Sequence, residues 1–334
     1  MATMKDVAGM AGVSTTTVSR VINGGSASPA VTRRVMDAID TLGYQVSASA
    51  RSLKGKRSNI VGVMVVDVSN PSTTQTLHGI TSVVHAHGMT VMLASTGGVP
   101  QEELASLEMF AGQHVSGIIY MGTQTREDVA DALNRFPAPV VVGGQERGSL
   151  RWPIVVFDNY DAGYDIAREL LGLGHRRLAF ISAPLDDEHV GRFRLQGFLD
   201  ALAHSGVTPP DHCVQYGDFS VEAGHAAMQR ILDGSGPPPT AVAAASDTMA
   251  IGALRCLRDR GLRVPGDVSL VGFDDIPVAA RLIPSLSSVA LDERELGEMC
   301  AELLHRMTQR EDTDVTRVVL GHRIILRESV TSVL

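Results

Sequence analysis

Residues 59–68 read NIVGVMVVDV, with no polar side chain between Asn59 and Asp67. Successive side chains of a strand face opposite sides, so a strand with one wet face alternates apolar and polar residues. Only a strand covered on both faces is apolar throughout. Runs of the same texture recur at 90–96 (TVMLAST), 116–122 (SGIIYMG), 139–144 (PVVVGG) and 153–159 (PIVVFDN). Others follow at 177–183 (RLAFISA), 240–246 (TAVAAAS), 267–275 (DVSLVGFDD) and 287–292 (SSVALD). Helical stretches lie between them, among them 101–111, 162–173, 192–205, 221–233, 248–260 and 294–308. This alternation predicts parallel sheets covered by helices. The strands overfill one small sheet, so two α/β lobes are expected, with the break near 158–163.

The first 58 residues have another texture. They carry a net charge of +5, which leaves −13 for the other 276 residues of a chain whose total is −8. A small basic head on an acidic body points to a polyanion partner for the head alone. Thr3 followed by Asp6 reads as a capping box. Val7, Ala8 and Ala11 form one apolar face, and Gly12 stops the helix. Ser14 can cap a second helix with Val18, Val21 and Ile22 inside, ended by Asn23-Gly24-Gly25. A third begins at Ser28-Pro29, carries Val31, Val35, Ile39 and Leu42 at helical spacing, and closes at Gly43. Residues 45–58, QVSASARSLKGKRS, are small, polar and basic, with Leu53 as their one large apolar residue.

No apolar run reaches the ~20 residues of a membrane span, and no basic-then-apolar leader opens the chain. Cys213, Cys256 and Cys300 lie far apart. They form neither metal spacing nor a disulfide framework, so buried thiols in a reducing cytoplasm are expected. No GxSxG, GxxxxGK[ST], HExxH or GxGxxG pattern is present, and neither enzyme activity nor a resident cofactor or metal is expected. His175 fits a charged helix C-terminus. Asp186, Asp187 and Glu188 read as solvated loop acids. His85 and His87 are two apart on a helix and share no face.

In open α/β sheets ligands bind beyond the carboxyl ends of the strands. The polar residues there are Asp67, Ser69, Asn70, Ser95, Thr96, Asp158, Asn159, Ser182, Ser246, Asp247, Asp274 and Asp275. Arg192, Arg194 and Phe219 stand near other strand ends. Together they suggest a polar cleft for a small hydroxylated molecule. For Ser246, capping a helix explains the residue type equally well.

A helix, a tight turn and a second helix opening on hydroxyl residues resembles the helix-turn-helix of DNA-binding proteins, whose second helix enters the major groove. Thr15, Thr16 and Thr17 are short enough for the groove and can meet base edges, and Arg20 could reach a guanine or a phosphate. The strings MKDVAGMAGVSTTTVSRVING, TRRVMDAIDTLGY, SARSLK and NIVGVMVVDVSNP resemble the lactose/galactose repressor family of bacterial transcriptional regulators. So do GHRRLAFISAP, GRFRLQGF, SDTMAIGALRCLRDRGLRVPGDVSLVGFDD and PSLSSV. The likeness spans essentially the whole chain, and the opening helices are most similar to those of the purine-responsive members.

The resemblance implies a small all-α helix-turn-helix head over 1–44, a hinge over 45–58, and a periplasmic-binding-protein-like, two-lobed α/β body with parallel sheets over 59–334. Three crossings would link the lobes, giving lobe 1 as about 60–159 with 290–320 and lobe 2 as 160–289 with 321–334. It implies DNA contacts from Lys5, Ser14, Thr15, Thr16, Thr17, Arg20, Asn23, Ala50, Leu53 and Lys54, with Leu53 wedged into the minor groove. It implies an effector site from Ser72, Thr73, Asp158, Arg192, Arg194, Phe219, Ser246 and Asp274. Partners would be a near-palindromic operator, a small effector and a second copy of the chain, with no membrane.

Two strings depart from the family pattern. NPSTT stands where members often carry NPFF, and VVGGQE where many carry a carboxylate-bearing LLDR-like string. A first lobe rich in hydroxyls and poor in aromatics favours a sugar or sugar derivative over a purine corepressor. A solute-binding protein without gene regulation would have the same cleft but no use for residues 1–58.

Overall fold

The computed structural model describes residues 2–22, 25–44, 58–122, 126–146, 150–185, 187–311 and 314–333. It divides into two compact units, Met1–Ser58 and Asn59–Leu334.

In the first unit, α1 (Met4–Ala11), α2 (Thr15–Ile22) and α3 (Pro29–Leu42) close around Val7, Ala8, Ala11, Val18, Val35 and Ala38. The residues are small because short helices must approach closely to bury anything at all. Thr3 and Asp6 form the full capping box, and Gly12 and Gly43 end their helices in the left-handed conformation. Ser28 caps α3, with Pro29 in its first turn. Asn23, Gly24 and residues 45–57, with Ala50, Leu53 and Lys54, lie outside the described residues.

The second unit holds two six-stranded sheets. In lobe 1 the strands are β1 (Ile60–Val65), β2 (Thr90–Ser95), β3 (Gly117–Met121), β4 (Val140–Gly143), β5 (Ile154–Phe157) and β11 (Arg317–Leu320). They run parallel in the order β11-β5-β4-β3-β1-β2. Its helices are α4 (Pro71–Ala86), α5 (Pro100–Gly112), α6 (Glu127–Arg135) and α11 (Glu293–Thr308). β1 shows why its sequence is apolar throughout. Val61, Val63 and Val65 face one core with Ile80 and Leu296, while Met64 faces another with Phe110 and Tyr120. Each such fully buried side chain contributes about 1.5–3 kcal/mol.

Lobe 2 contains β6 (Leu178–Ser182), β7 (Val214–Tyr216), β8 (Ala241–Ala244), β9 (Ser269–Phe273), β10 (Ser287–Leu291) and β12 (His322–Ile325). Their order is β12-β10-β9-β8-β6-β7, with only β12 antiparallel to its neighbour. Its helices are α7 (Asn159–Gly172), α8 (Arg194–His204), α9 (Val221–Leu232) and α10 (Asp247–Asp259).

The chain passes between the sheets at Asp158, Asp292 and Gly321. β10 runs on to Leu291 in lobe 2, so the second crossing lies beyond the 289/290 boundary read from the sequence. No described helix is long and apolar enough to cross a membrane.

His175 corrects one expectation. It is buried, with Nδ1 3.0 Å from Thr240 Oγ1 and Nε2 3.0 Å from the Thr331 carbonyl, and burial holds its pKa below the usual histidine value. It is therefore a neutral strut joining α7's exit to the C-terminal segment, not a charge on a helix end. Cys213, Cys256 and Cys300 are free and buried. His87 stacks on His305, with ring centroids 3.5 Å apart.

Candidate functional site

The sheets order their strands so that β1 has β2 on one side and β3 on the other, and β6 has β7 and β8. Connections leave in opposite directions at such points and open a crevice at the carboxyl edge. Between the two carboxyl edges lies a cavity of about 320 Å³. Lobe 1 lines it with Val65, Asp67, Asn70, Ser72, Thr73, Thr76, Met121, Gly143, Gly144, Phe157, Glu293 and Leu296. Lobe 2 contributes Asn159, Asp187, Val190, Arg194, Asp218, Phe219 and Asp274.

Arg194 opens α8 and its side chain is only 4% exposed. Nε donates to Asn159 Oδ1 at 2.7 Å, and Nη1 to the Ala245 carbonyl at 2.6 Å and to Asp274 Oδ1 at 3.2 Å. The guanidinium also sits 4.7 Å from the Phe273 ring centroid. Asp274 follows β9 at φ +95°, and Phe219 follows β7 at φ +70°. A left-handed backbone is costly for a residue with a Cβ, most of all for an aromatic one. Both residues that would touch a ligand are thus held in strained turns. Burial raises the Asp274 pKa, opposed by the Arg194 guanidinium and the Ser72 hydroxyl.

Glu293, the first residue of α11, stands just past the second crossing. Thr76 Oγ1 donates to its Oε2 at 2.7 Å. Burial, with the Asp274 charge nearby, pushes its carboxyl up to about 8. Asp187 is also raised by burial while it caps the turn at Val190, whose N–H it accepts at 2.9 Å. It is buried and faces the cavity, which corrects the reading of that loop's acids as solvated. Asp247, behind the wall, is pushed to about 8 by burial and by Asp274, and accepts from Ser288 Oγ and the Ile276 N–H. Across the lobes, the Glu146 N–H donates to His189 Nε2 at 2.7 Å.

Of the effector residues expected from the sequence, the structure gathers Ser72, Thr73, Arg194, Phe219 and Asp274 around the cavity. Three lie elsewhere. Asp158 caps α7, accepting from the Asp161 N–H, and Ser246 caps α10, accepting from the Met249 N–H. Arg192 is exposed and outside the lining. Glu293, Thr76 and Asp187 were missed. Glu293 stands two residues past the end of β10, so the same rule of polar residues beyond strand ends would have found it. The glycines of VVGGQE, Gly143 and Gly144, also line the cavity.

In the head, Lys5, Ser14, Thr15, Thr16 and Arg20 are exposed. The Ser14 and Thr17 hydroxyls are 3.0 Å apart, and Ser14 Oγ accepts from the Thr17 N–H at 3.2 Å. Those two hydroxyls therefore build the start of α2, while Thr15, Thr16 and Arg20 are presented to solvent. The described residues contain no His/Cys/Asp/Glu group fit for a metal ion.

Residues 3–47 match the family described as bacterial regulatory proteins, lacI family, and residues 167–330 a periplasmic binding protein-like domain. The chain is 32% identical over 328 residues to catabolite control protein A of Priestia megaterium, covering 98% of each. A solved structure of the transcriptional regulator CelR in complex with cellobiose superposes with a TM-score of 0.75 at 34% identity, covering 98% of this chain and 100% of that one. A lac repressor dimer bound to operator and the anti-inducer ONPF superposes with a TM-score of 0.86 at 28% identity, covering 99% of each.

Proposed function

The chain belongs to the lacI family of bacterial regulatory proteins, and from that membership we propose a homodimeric repressor, working in the cytoplasm, whose operator affinity is set by a sugar or sugar derivative held between the lobes. It is a transcriptional regulator and not an enzyme. The observation that carries the effector reading is the cavity itself, where a buried Arg194–Asp274 pair from lobe 2 faces Ser72 and Thr73 from lobe 1. Carboxylate and guanidinium side by side can accept from and donate to vicinal hydroxyls. Phe219 offers an apolar face to a ring. A purine would want aromatic cover from lobe 1 beside Ser72 and Thr73, and the sequence there is NPSTT.

Binding across the two lobes changes their angle, and the hinge carries that change to the head. A ligand that favours one lobe angle thereby shifts operator affinity. Two heads read the two halves of a near-palindrome, Thr16 and Arg20 meeting base edges and Leu53 entering the minor groove.

The test is footprinting on the gene's own upstream region, with and without a panel of sugars and purines. A palindromic footprint changed by a sugar is expected. A footprint moved by purines alone would replace the sugar, and no footprint at any salt concentration would overturn the regulator. Leu53→Ala should weaken operator binding and leave ligand binding unchanged; unaltered operator affinity would remove the wedge.

A further inference from the structure

The cavity has an unusual charge balance for a site that must hold a small polar molecule. Among the described lining residues its cation is Arg194, against the carboxylates Asp67, Asp187, Asp218, Asp274 and Glu293. Asp67 and Asp218 are bonded within their own loops, to Ser69 and Ser220. Arg194 is committed to Asn159, the Ala245 carbonyl and Asp274. Asp274 is thereby matched, and Asp187 serves its own turn. Glu293 has a hydroxyl donor in Thr76 and makes no ion pair among the described residues, Arg194 acting on it only through space.

A buried carboxylate is stable when a positive charge faces it or when it takes up a proton. An anionic ligand, such as a sugar phosphate or a uronate, would have to compete with Asp274 for Arg194 and would face the other carboxylates. Beside a neutral sugar Glu293 would simply keep its proton, whereas an ammonium can take that proton's place. Resting on the reading of this cavity as the effector site, we propose that the effector is a cation: a ring-sized, amine-bearing sugar or polyol whose ammonium lies against Glu293 and Asp274. Its hydroxyls fall to Ser72, Thr73 and Arg194, and its apolar face to Phe219.

Placement gives the charge a second consequence. Glu293 belongs to lobe 1 and Asp274 to lobe 2. An ammonium between them favours the ionised form of Glu293, whose proton leaves to solvent, and draws the two carboxylates and their lobes together. The group that recognises the ligand therefore also couples it to the lobe angle.

The experiment uses the full chain in phosphate buffer, since Tris is itself an amine-bearing polyol. Thermal shift and calorimetry are run on matched sets: glucose, glucosamine and glucose 6-phosphate; galactose, galactosamine and galacturonate; mannose, mannosamine and mannose 6-phosphate. The amine of at least one set should stabilise the protein and bind more tightly than its neutral and anionic partners. Glu293→Gln should weaken that amine ~10–100-fold, the loss expected for a hydrogen bond to a charged group, while changing any neutral sugar little. Wild-type protein alone already decides the ranking within each set, so the test does not depend on the variant folding. A neutral or anionic member that binds as well as its amine, or no stabilisation by any amine, overturns the proposal. Operator gel shifts on the same samples separate the two readings. A neutral sugar that binds and moves operator affinity sinks the amine and keeps the effector cavity. If no member binds or moves operator affinity, both fall.

Discussion

Arg194 holds three acceptors on lobe 2 at once, and its guanidinium covers Phe273. Arg194→Met keeps the stem and removes the charge, leaving Asp274 without its counter-ion. A stability loss of about 3 kcal/mol by urea unfolding is expected, together with loss of effector binding; a wild-type midpoint would mean that Asp274 relaxes to solvent. Glu293 gives a signed prediction. Its folded carboxyl is pushed to about 8, above the ~4.3 of an unfolded glutamate. The folded state therefore binds the extra proton, and this contribution to stability is complete at pH 4 and lost as pH rises through 8. Glu293→Gln should flatten that decline, raising the ligand-free Tm by a few °C at pH 8 and changing it little at pH 5. An equal shift at both pH values would place the carboxyl in ordinary solvent. Sequence reasoning found Arg194, Asp274 and Phe219 because strand ends and the family strings mark them. It misplaced Asp158 and Ser246 because a hydroxyl or carboxylate after a strand serves equally as a helix cap, and only coordinates separate the two uses.

Three helix pairs make the elements interlock. A Cβ on Gly79 of α4 would overlap the Arg294 carbonyl, and one on Gly297 of α11 the Thr76 carbonyl. Gly163 and Gly197 meet in the same way between α7 and α8, and Gly224 and Gly252 between α9 and α10. The α4–α11 contact also sets the Thr76–Glu293 hydrogen bond. Gly297→Ala should push these helices apart, cost ~1–3 kcal/mol as overpacking does, and weaken effector binding more than Gly224→Ala, which lies away from the cavity lining. Equal effects on binding would show that general loosening, and not the Thr76–Glu293 register, is what matters. The buried strands were legible in the sequence because two-sided burial leaves an unbroken apolar run. β7, β11 and β12 were not, since they are half-exposed edge strands too short to carry a recognisable apolar run. The passage of β11 and β12 into different sheets at Gly321 has no local signal at all; long-range pairing decides it.

At the scale of the whole molecule, one head can read only one half-site, so operator affinity depends on a face that holds two chains together. The body carries one strong candidate. Ile283 is 96% exposed, beside a groove lined by Ile251, Leu254, Leu262, Val264, Leu282 and Pro284, with Arg255, Arg258 and Asp259 at its border. An isolated exposed isoleucine is ordinary, but one set against a contiguous apolar groove with a charged rim has the anatomy of a protein interface. A second copy of the chain can place its own Ile283 in the groove by two-fold symmetry. Ile283→Asp would then bury two carboxylates against apolar side chains, and sedimentation should show monomers where the wild type is dimeric. Operator affinity should fall ~100-fold or more, because linking two heads raises avidity by about that factor without any new DNA contact. Effector binding should persist, since the residues around the cavity lie outside that groove. A dimeric Ile283→Asp protein with wild-type operator affinity would move the interface to another face of the body.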